Sequence, residues 1–168
     1  MKNIALIGMP GAGKSTVGVV LAKTLCMVFI DSDLIIQERE KKLLQEIINN
    51  EGIESFLEKE AAAVLSIKEE NSIIATGGSV IYKKQAIEYL KKNSRLVYLK
   101  LSYEEICERI NNIKTRGIAL KKNQNLKQLY NERKLFYEKY ADITVECDSK
   151  TVEEVIELII GNIRLGRI

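Results

Sequence analysis

Apolar residues gather along the chain in five short runs that are nearly continuous, with little alternation between apolar and polar positions. Strands of a parallel sheet are covered on both faces, so runs of this kind are typical of them. The predicted strands are Asn3–Ile7, Met27–Asp31, Ser72–Ala75, Arg95–Leu101 and Asp142–Glu146.

Between these runs, apolar residues recur at helical spacing. The predicted helices are Lys14–Cys26, Leu34–Asn49, Ile53–Glu70, Lys83–Lys92, Tyr103–Asn111, Leu126–Tyr140 and Thr151–Ile160. Alternating strands and helices predict a three-layer α/β domain: a five-stranded, mainly parallel sheet with helices on both faces. The length of 168 residues fits a single domain, 1–168. Ligands bind such sheets at the carboxyl ends of the strands, so we expect the loops there to form one site.

The segment Gly8–Ser15, GMPGAGKS, follows the first predicted strand and matches the phosphate-binding loop (P-loop) pattern G-x-x-x-x-G-K-[ST] at every fixed position. Its glycines let successive N–H groups face a polyphosphate, and the next helix presents its N-terminus to the same anion. Lys14 would reach the β- and γ-phosphates, and the Ser15 hydroxyl would bind Mg²⁺. The predicted nucleotide-binding residues are Gly11, Ala12, Gly13, Lys14, Ser15 and Thr16. A glycine-rich turn with a chance Lys-Ser is the alternative, and the preceding strand argues against it.

Composition excludes several functional classes. The net charge of +3 is too small to indicate a nucleic-acid partner, and no apolar stretch is long enough to cross a membrane or to act as a signal peptide. The chain has no histidine, which excludes a histidine base or a histidine-bound metal, so the proton acceptor must be a carboxylate. Three well-separated cysteines favour reduced thiols. We expect a cytoplasmic monomer.

Two carboxylates follow the second predicted strand, in Asp31-Ser32-Asp33. One could bind the Mg²⁺ shell through water while the other accepts the proton of an attacking hydroxyl. Alternatively, Asp31 or Ser32 caps the next helix, and both roles can coexist. The third predicted strand ends in Gly77 and Gly78, where the backbone could approach a ligand closely or simply turn.

Residues 111–125 lack strong periodicity, carry four basic residues and lie between two predicted helices. Next to a P-loop, such a segment is typical of a lid that closes over nucleotide phosphates. A plain surface loop is the alternative.

Together, the order of these motifs resembles the shikimate kinase family over nearly the whole chain. In chain order, the motifs are the P-loop, D-x-D after the second strand, G-x-x-x-F, T-G-G, a basic lid and an arginine within a helix before the fifth strand. The resemblance implies a fold like that of the nucleoside monophosphate kinases. It also implies transfer of the γ-phosphate of ATP, with Mg²⁺, to one ring hydroxyl of shikimate, giving shikimate 3-phosphate in aromatic amino-acid biosynthesis.

The resemblance also assigns catalytic roles. Lys14 binds the phosphates, Ser15 binds the metal directly, and Asp31 binds the metal through water. Asp33 binds the substrate hydroxyls and acts as the base. Arg116, in the lid, meets the transferring phosphate.

Further residues are assigned to substrate and nucleotide in the same way. Gly77 and Gly78 match the first two glycines of a triple-glycine turn, and Phe56 matches an aromatic residue in the acceptor pocket. Arg133 matches an arginine that binds the shikimate carboxylate, and Arg109 lies where the family places a side chain over the adenine.

Three positions depart from the family pattern. The acceptor segment, about 33–61, normally reads F-R-x-x-E and here reads FLEKE, so Leu57 stands where a second carboxylate-binding arginine is expected in the substrate site. Ser79 replaces the third glycine, and the lid reads R-G-I for the usual R-P-L.

These departures leave other functions open. One is a kinase for a different small hydroxylated metabolite. A nucleoside monophosphate kinase is less favoured, because its acceptor site usually has several arginines and Leu34–Glu70 contains only Arg39. A P-loop regulatory module would need neither a base nor an acceptor pocket.

Overall fold

The computed structural model of the chain describes residues 2–111 and 118–165. These residues form five strands: β1 (Asn3–Ile7), β2 (Val28–Asp31), β3 (Ser72–Ala75), β4 (Ser94–Lys100) and β5 (Ile143–Glu146). They also form seven helices: α1 (Lys14–Leu25), α2 (Ser32–Glu40), α3 (Leu44–Leu65), α4 (Lys84–Asn93), α5 (Tyr103–Asn111), α6 (Leu126–Tyr140) and α7 (Val152–Leu165). The predicted alternation of strands and helices is confirmed.

The strands form one sheet in the order β2-β3-β1-β4-β5, and every neighbouring pair is parallel. Leu6 of β1 pairs with Ala75 of β3, and Asp31 of β2 pairs with the same Ala75. The carboxyl ends of these three strands therefore lie at one edge of the sheet, where the loops were expected to form one site.

The central strand β1 shows why the sequence runs are continuously apolar. Successive side chains of a strand face opposite sides of the sheet. Ile4, Ala5, Leu6 and Ile7 are all at most 2% exposed, so helices cover both faces. Helix α1 packs against α7, and α3 packs against α4.

The prediction of one continuous helix over Leu34–Asn49 is wrong, because α2 ends at Glu40 and a separate helix, α3, begins at Leu44. Lys41 has a left-handed backbone with φ of 53°, and α3 begins three residues later, where the Glu46 carboxylate accepts a hydrogen bond from the Leu43 N–H at 2.8 Å. The predicted interruption between Asn49 and Ile53 is confirmed as a kink at Gly52, where φ is 84° and the backbone inside α3 is not helical. The third predicted helix, Ile53–Glu70, ends five residues early, at Leu65.

Among the helices of residues 2–111 and 118–165, none is both long enough and apolar enough to cross a membrane.

Candidate active site

The P-loop joins β1 to α1 and wraps around the Lys14 ammonium group. Gly11 and Gly13 have φ of 84° and 86°, a left-handed conformation in which a side chain would be strained. Lys14 is 5% exposed, and its Nζ donates hydrogen bonds of 2.8 Å to the carbonyls of Gly8 and Met9. The loop carbonyls therefore hold the ammonium beside the N-terminus of α1, where the phosphates of a nucleotide would bind.

Asp31 connects the P-loop to α2. Its Oδ2 accepts a hydrogen bond of 2.7 Å from Ser15 Oγ, and its Oδ1 accepts one of 3.0 Å from the Asp33 N–H. Asp31 is thus the N-cap of α2, so the capping role left open by the sequence is confirmed. It places one carboxylate beside the P-loop hydroxyl at the same time.

Ser15 and Asp31 have the chemistry that suits Mg²⁺, since a hydroxyl and a carboxylate are hard oxygen ligands. Within the described ranges, no group of three or more His, Cys, Asp or Glu side chains could hold a metal ion. These two residues fit an ion that takes the rest of its ligands from nucleotide phosphates and water.

A cavity opens beside the P-loop at the carboxyl edge of the sheet. It brings together residues from the P-loop, α2, α3, α6 and the segment after β3. The lining residues are Pro10, Lys14, Ser15, Asp33, Leu44, Phe56, Glu60, Thr76, Gly77, Gly78, Ser79, Ala119 and Arg133. We call it the central cavity. It unites Lys14 and Asp33 with four of the predicted substrate residues, Phe56, Gly77, Gly78 and Arg133.

Gly77 and Gly78 let side chains approach this backbone closely. A Cβ on Gly77 would lie 1.9 Å from Glu60 Oε1 and 2.9 Å from Asp33 Oδ1. A Cβ on Gly78 would lie 2.8 Å from Pro10 Cδ and 2.9 Å from Arg133 Nη1. The paired glycines are therefore required by close contacts at the cavity wall.

Arg133 is buried in this wall at 1% exposure. Its Nη2 donates to the Ala119 carbonyl at 3.2 Å and its Nε donates to Tyr82 Oη at 3.3 Å. The guanidinium carbon lies 5.3 Å from the centre of the Tyr82 ring, a cation–π distance. A buried cation held this rigidly is well placed to bind an anionic group in the cavity.

Glu60 is a cavity residue that the sequence reasoning did not select. It is 1% exposed, and its Oε2 accepts a hydrogen bond of 2.7 Å from Ser79 Oγ. Burial raises the pKa of Glu60 to about 7, with a further contribution from the charge of Asp33. The signal was available, since Glu60 is the last residue of the FLEKE segment matched to the family motif.

Leu57 lies beside the central cavity, on the wall of a neighbouring one that it shares with Tyr82 and Lys83. It is 8% exposed. Lys83 donates hydrogen bonds to the carboxylates of Glu54 and Glu58, the second at 2.6 Å.

A second cavity lies on the other side of the P-loop. It is lined by Ala12, Gly13, Thr16, Val17, Arg109, Cys147, Lys150, Thr151, Val152 and Val155. Arg109 stands next to the loop, with Nη1 3.8 Å from where a Cβ on Gly13 would lie, and pairs with Glu105 at 3.4 Å. The predicted nucleotide residues Ala12, Gly13, Thr16 and Arg109 thus meet at one cavity.

Arg116 and residues 112–117 of the predicted lid lie outside the described residues. The following part of the segment is described, and there the Ala119 carbonyl accepts the hydrogen bond from Arg133.

A P-loop, an oxygen pair suited to Mg²⁺ and an adjoining cavity with a carboxylate define an ATP-dependent kinase of small molecules. The shikimate kinase family model matches residues 10–164. The chain belongs to the shikimate kinase family, which uses ATP. This membership argues against the nucleoside monophosphate kinase and regulatory-module alternatives.

Relatives in sequence agree with this assignment. The chain is 34% identical over 165 residues to a shikimate kinase of Sulfurihydrogenibium, covering 98% of this chain and 99% of the relative. It is 37% identical over 163 residues to a shikimate kinase of Caldanaerobacter subterraneus, covering 95% of each.

Solved structures agree as well. A shikimate kinase from Acinetobacter baumannii in complex with shikimate superposes with a TM-score of 0.92 at 29% identity, covering 100% of this chain and 96% of that one. A shikimate kinase from Aquifex aeolicus gives 0.86 at 30% identity, covering 99% and 98%. A deoxyadenosine kinase from M. mycoides, at 16% identity, a TM-score of 0.60 and coverage of 98% and 100%, shares the fold alone.

Proposed function

We propose that the chain transfers the γ-phosphate of ATP to a ring hydroxyl of shikimate, giving shikimate 3-phosphate. The observation that carries this proposal is that Lys14, Asp33 and Arg133 line one cavity. A phosphate-binding cation, a carboxylate base and a carboxylate-binding cation are the three groups that this reaction needs. The family and its full-length relatives support the same substrate.

On the nucleotide side, the N–H groups of Gly11, Ala12 and Gly13 and the N-terminus of α1 bind the phosphates. Lys14 stabilises the charge that develops on the transferring phosphoryl group. Thr16 and Arg109, on the second cavity, contact the nucleoside.

Ser15 and Asp31 are the residues that would hold Mg²⁺, Ser15 directly and Asp31 through water. When bound, the ion neutralises phosphate charge and orients the γ-phosphate. Their own hydrogen bond of 2.7 Å keeps the two oxygens together before the ion arrives.

On the acceptor side, Asp33 orients the reacting hydroxyl and accepts its proton. Arg133 binds the shikimate carboxylate, the backbone at Gly77 and Gly78 approaches the ring, and Phe56 packs against it. The acceptor segment 33–61 supplies Asp33 and Phe56, and Leu57 supports the wall from the adjoining cavity.

Four further assignments rest on the sequence. They are the lid at 111–125 with Arg116 on the transferring phosphate, a single domain over 1–168, a monomeric state and a cytoplasmic location. The location is supported by the free thiols of Cys26, Cys107 and Cys147.

A second candidate is a kinase for another hydroxylated metabolite, favoured by the apolar Leu57 and by Ser79 in place of a glycine. An ADP-release assay separates the two candidates when shikimate is compared with a panel of other hydroxylated acids and polyols. The proposal requires shikimate to give the highest kcat/KM of the panel. Turnover of another acceptor with none for shikimate would favour the second candidate.

A further inference from the structure

Glu60 is a buried carboxyl group in the central cavity to which the proposed function gives no role. Its Oε2 accepts the hydrogen bond from Ser79, whereas its Oε1 accepts none from any residue within 2–111 and 118–165. A buried carboxylate oxygen that has lost water without gaining a donor is costly. Such an atom indicates either a bound proton or a ligand that completes the site.

The position of Oε1 links the two ends of the acceptor site. Glu60 Oε1 and Asp33 Oδ1 both lie within 2.9 Å of the point where a Cβ on Gly77 would stand, so they are close neighbours. Arg133 Nη1 lies equally close to the Cβ position of Gly78, the next residue. Glu60, Asp33 and Arg133 therefore line one stretch of the cavity wall, along which an acceptor bound to both Asp33 and Arg133 would lie.

Burial, more than the surrounding charges, favours a neutral Glu60. Asp33 faces it from α2, Arg133 and Tyr137 face it from α6, and Lys14 lines the same cavity. Burial and the charge of Asp33 raise the pKa of Glu60, Ser79 and Arg133 act in the opposite direction, and the net result is a pKa of about 7. Because Ser79 donates to Oε2, the proton of the neutral acid resides on Oε1.

We propose that Glu60, as a neutral carboxylic acid, donates a hydrogen bond from Oε1 to the carboxylate of the acceptor beside Arg133. The inference rests on the proposed function, since it names an acceptor with a carboxylate. Glu60 is then a specificity-determining residue. In its neutral form it supplies a second hydrogen-bond donor to the acceptor's carboxylate, beside Arg133, which is the single arginine among the described residues that line the cavity. Ionised, it would repel the same acceptor.

Proton uptake is the direct consequence of this arrangement. Where Glu60 is ionised in the free protein, a carboxylate acceptor can bind only as a proton is taken up. Acceptor affinity should fall by up to about tenfold per pH unit well above pH 7, because the binding-competent form becomes scarce by that factor. The acceptor's own carboxylate, with an ordinary pKa of about 4, stays ionised throughout this range.

The test is calorimetry of shikimate binding to the full chain with ADP and Mg²⁺, at pH 6 and pH 8.5. Buffers of different ionisation enthalpy report the protons taken up. We expect uptake near zero at pH 6 that approaches one proton at pH 8.5. Glu60→Gln, which donates from an amide that does not titrate, should abolish both the uptake and the pH dependence of affinity.

Ser79→Ala provides a second variant that keeps the carboxyl group. Loss of the Ser79 hydrogen bond removes a donor that stabilises ionised Glu60, so the midpoint of the pH dependence should move to higher pH. A merely structural role for Glu60 would leave proton uptake unaltered in both variants.

Shikimate binding without proton uptake at pH 8.5, or uptake that is identical in wild type and Glu60→Gln, would overturn the inference. Either result can occur in an enzyme that phosphorylates shikimate normally, so the proposed function would stand. Shikimate that neither binds nor reacts would contradict the proposed function and this inference together.

Discussion

Ser15 Oγ donates a hydrogen bond of 2.7 Å to Asp31 Oδ2, which joins the first turn of α1 to the end of β2. The other oxygen of the same carboxylate caps α2 through the Asp33 N–H. One side chain thus fixes the P-loop hydroxyl and the start of the helix that bears the proposed base. This link holds the Ser15 and Asp31 oxygens at a set separation from the start of the helix that carries Asp33.

The first prediction separates the two aspartates. Asp33→Asn should lower kcat by about 10²–10⁴-fold, because general-base catalysis contributes that much, with little change in ATP affinity. Asp31→Asn should instead raise the Mg²⁺ concentration needed for half-maximal rate. Its stability should be close to wild type, since asparagine caps helices as well as aspartate does. Rates and Mg²⁺ titrations that match between the two variants would show that the roles are not divided in this way.

The second prediction concerns Gly78. A methyl group there would contact Pro10 at 2.8 Å and Arg133 Nη1 at 2.9 Å, so Gly78→Ala should displace the guanidinium. We expect KM for the acceptor to rise by tenfold or more, with a smaller change in KM for ATP. Steady-state kinetics with each substrate varied in turn measures both.

Gly161→Ala is the matched control for Gly78→Ala. A Cβ at this position in α7 has no atom within 4 Å. Alanine in a helix is favoured over glycine by about 0.5–1 kcal/mol, so this variant should be at least as stable as wild type with unchanged kinetics. Equal acceptor KM values in both variants would mean that Gly78 is not needed for the placement of Arg133.

The third prediction is the pH dependence of stability that Glu60 produces. Burial raises its pKa in the folded state from 4.5 to about 7, so between these values the folded protein binds more protons than the unfolded chain. The free energy of unfolding should therefore fall as pH rises through this window, by up to about 3 kcal/mol. Urea unfolding at pH 5 and pH 8 measures this decrease in the free energy of unfolding, which should be absent in Glu60→Gln. A slope equal to that of wild type would mean that Glu60 is ionised at neutral pH.

The fourth prediction concerns Leu57. Leu57→Arg should lower KM for shikimate by about tenfold to a hundredfold with kcat little changed, since a bidentate arginine–carboxylate contact contributes about 1.5–3 kcal/mol. If another metabolite is the acceptor, the new charge would add to those of Lys83 and Lys121 on the same wall, and the true reaction would weaken. Shikimate turnover that is undetectable in both forms would contradict the shikimate assignment.

The fold and the P-loop side of the site were predictable because their signals are local. Lys14 and Ser15 follow β1 at fixed spacing, and Asp31 and Asp33 follow β2 directly, so their positions are set by a few neighbouring residues. The break at Lys41 was missed because neighbouring lysines and glutamates read as continuous helix surface.

The unusual state of Glu60 depends on residues distant in sequence. Its burial comes from the packing of α3 against the segment after β3, and its partners Ser79 and Asp33 lie 19 and 27 positions away along the chain. Arg133 was identified by motif, but its burial against Tyr82 and the Ala119 carbonyl was not. Contacts of this kind follow from tertiary packing, which apolar spacing does not record.

Product analysis is the most direct test of transfer of the γ-phosphate of ATP to shikimate in the central cavity. Purified chain is incubated with ATP, Mg²⁺ and shikimate, and the products are measured by mass spectrometry beside Lys14→Met and the exposed-lysine control Lys23→Met. We expect one phosphorylated shikimate per ADP in wild type and Lys23→Met, and a loss of product of several orders of magnitude in Lys14→Met. ADP formed without phosphorylated shikimate, or equal product from Lys14→Met, would contradict this expectation.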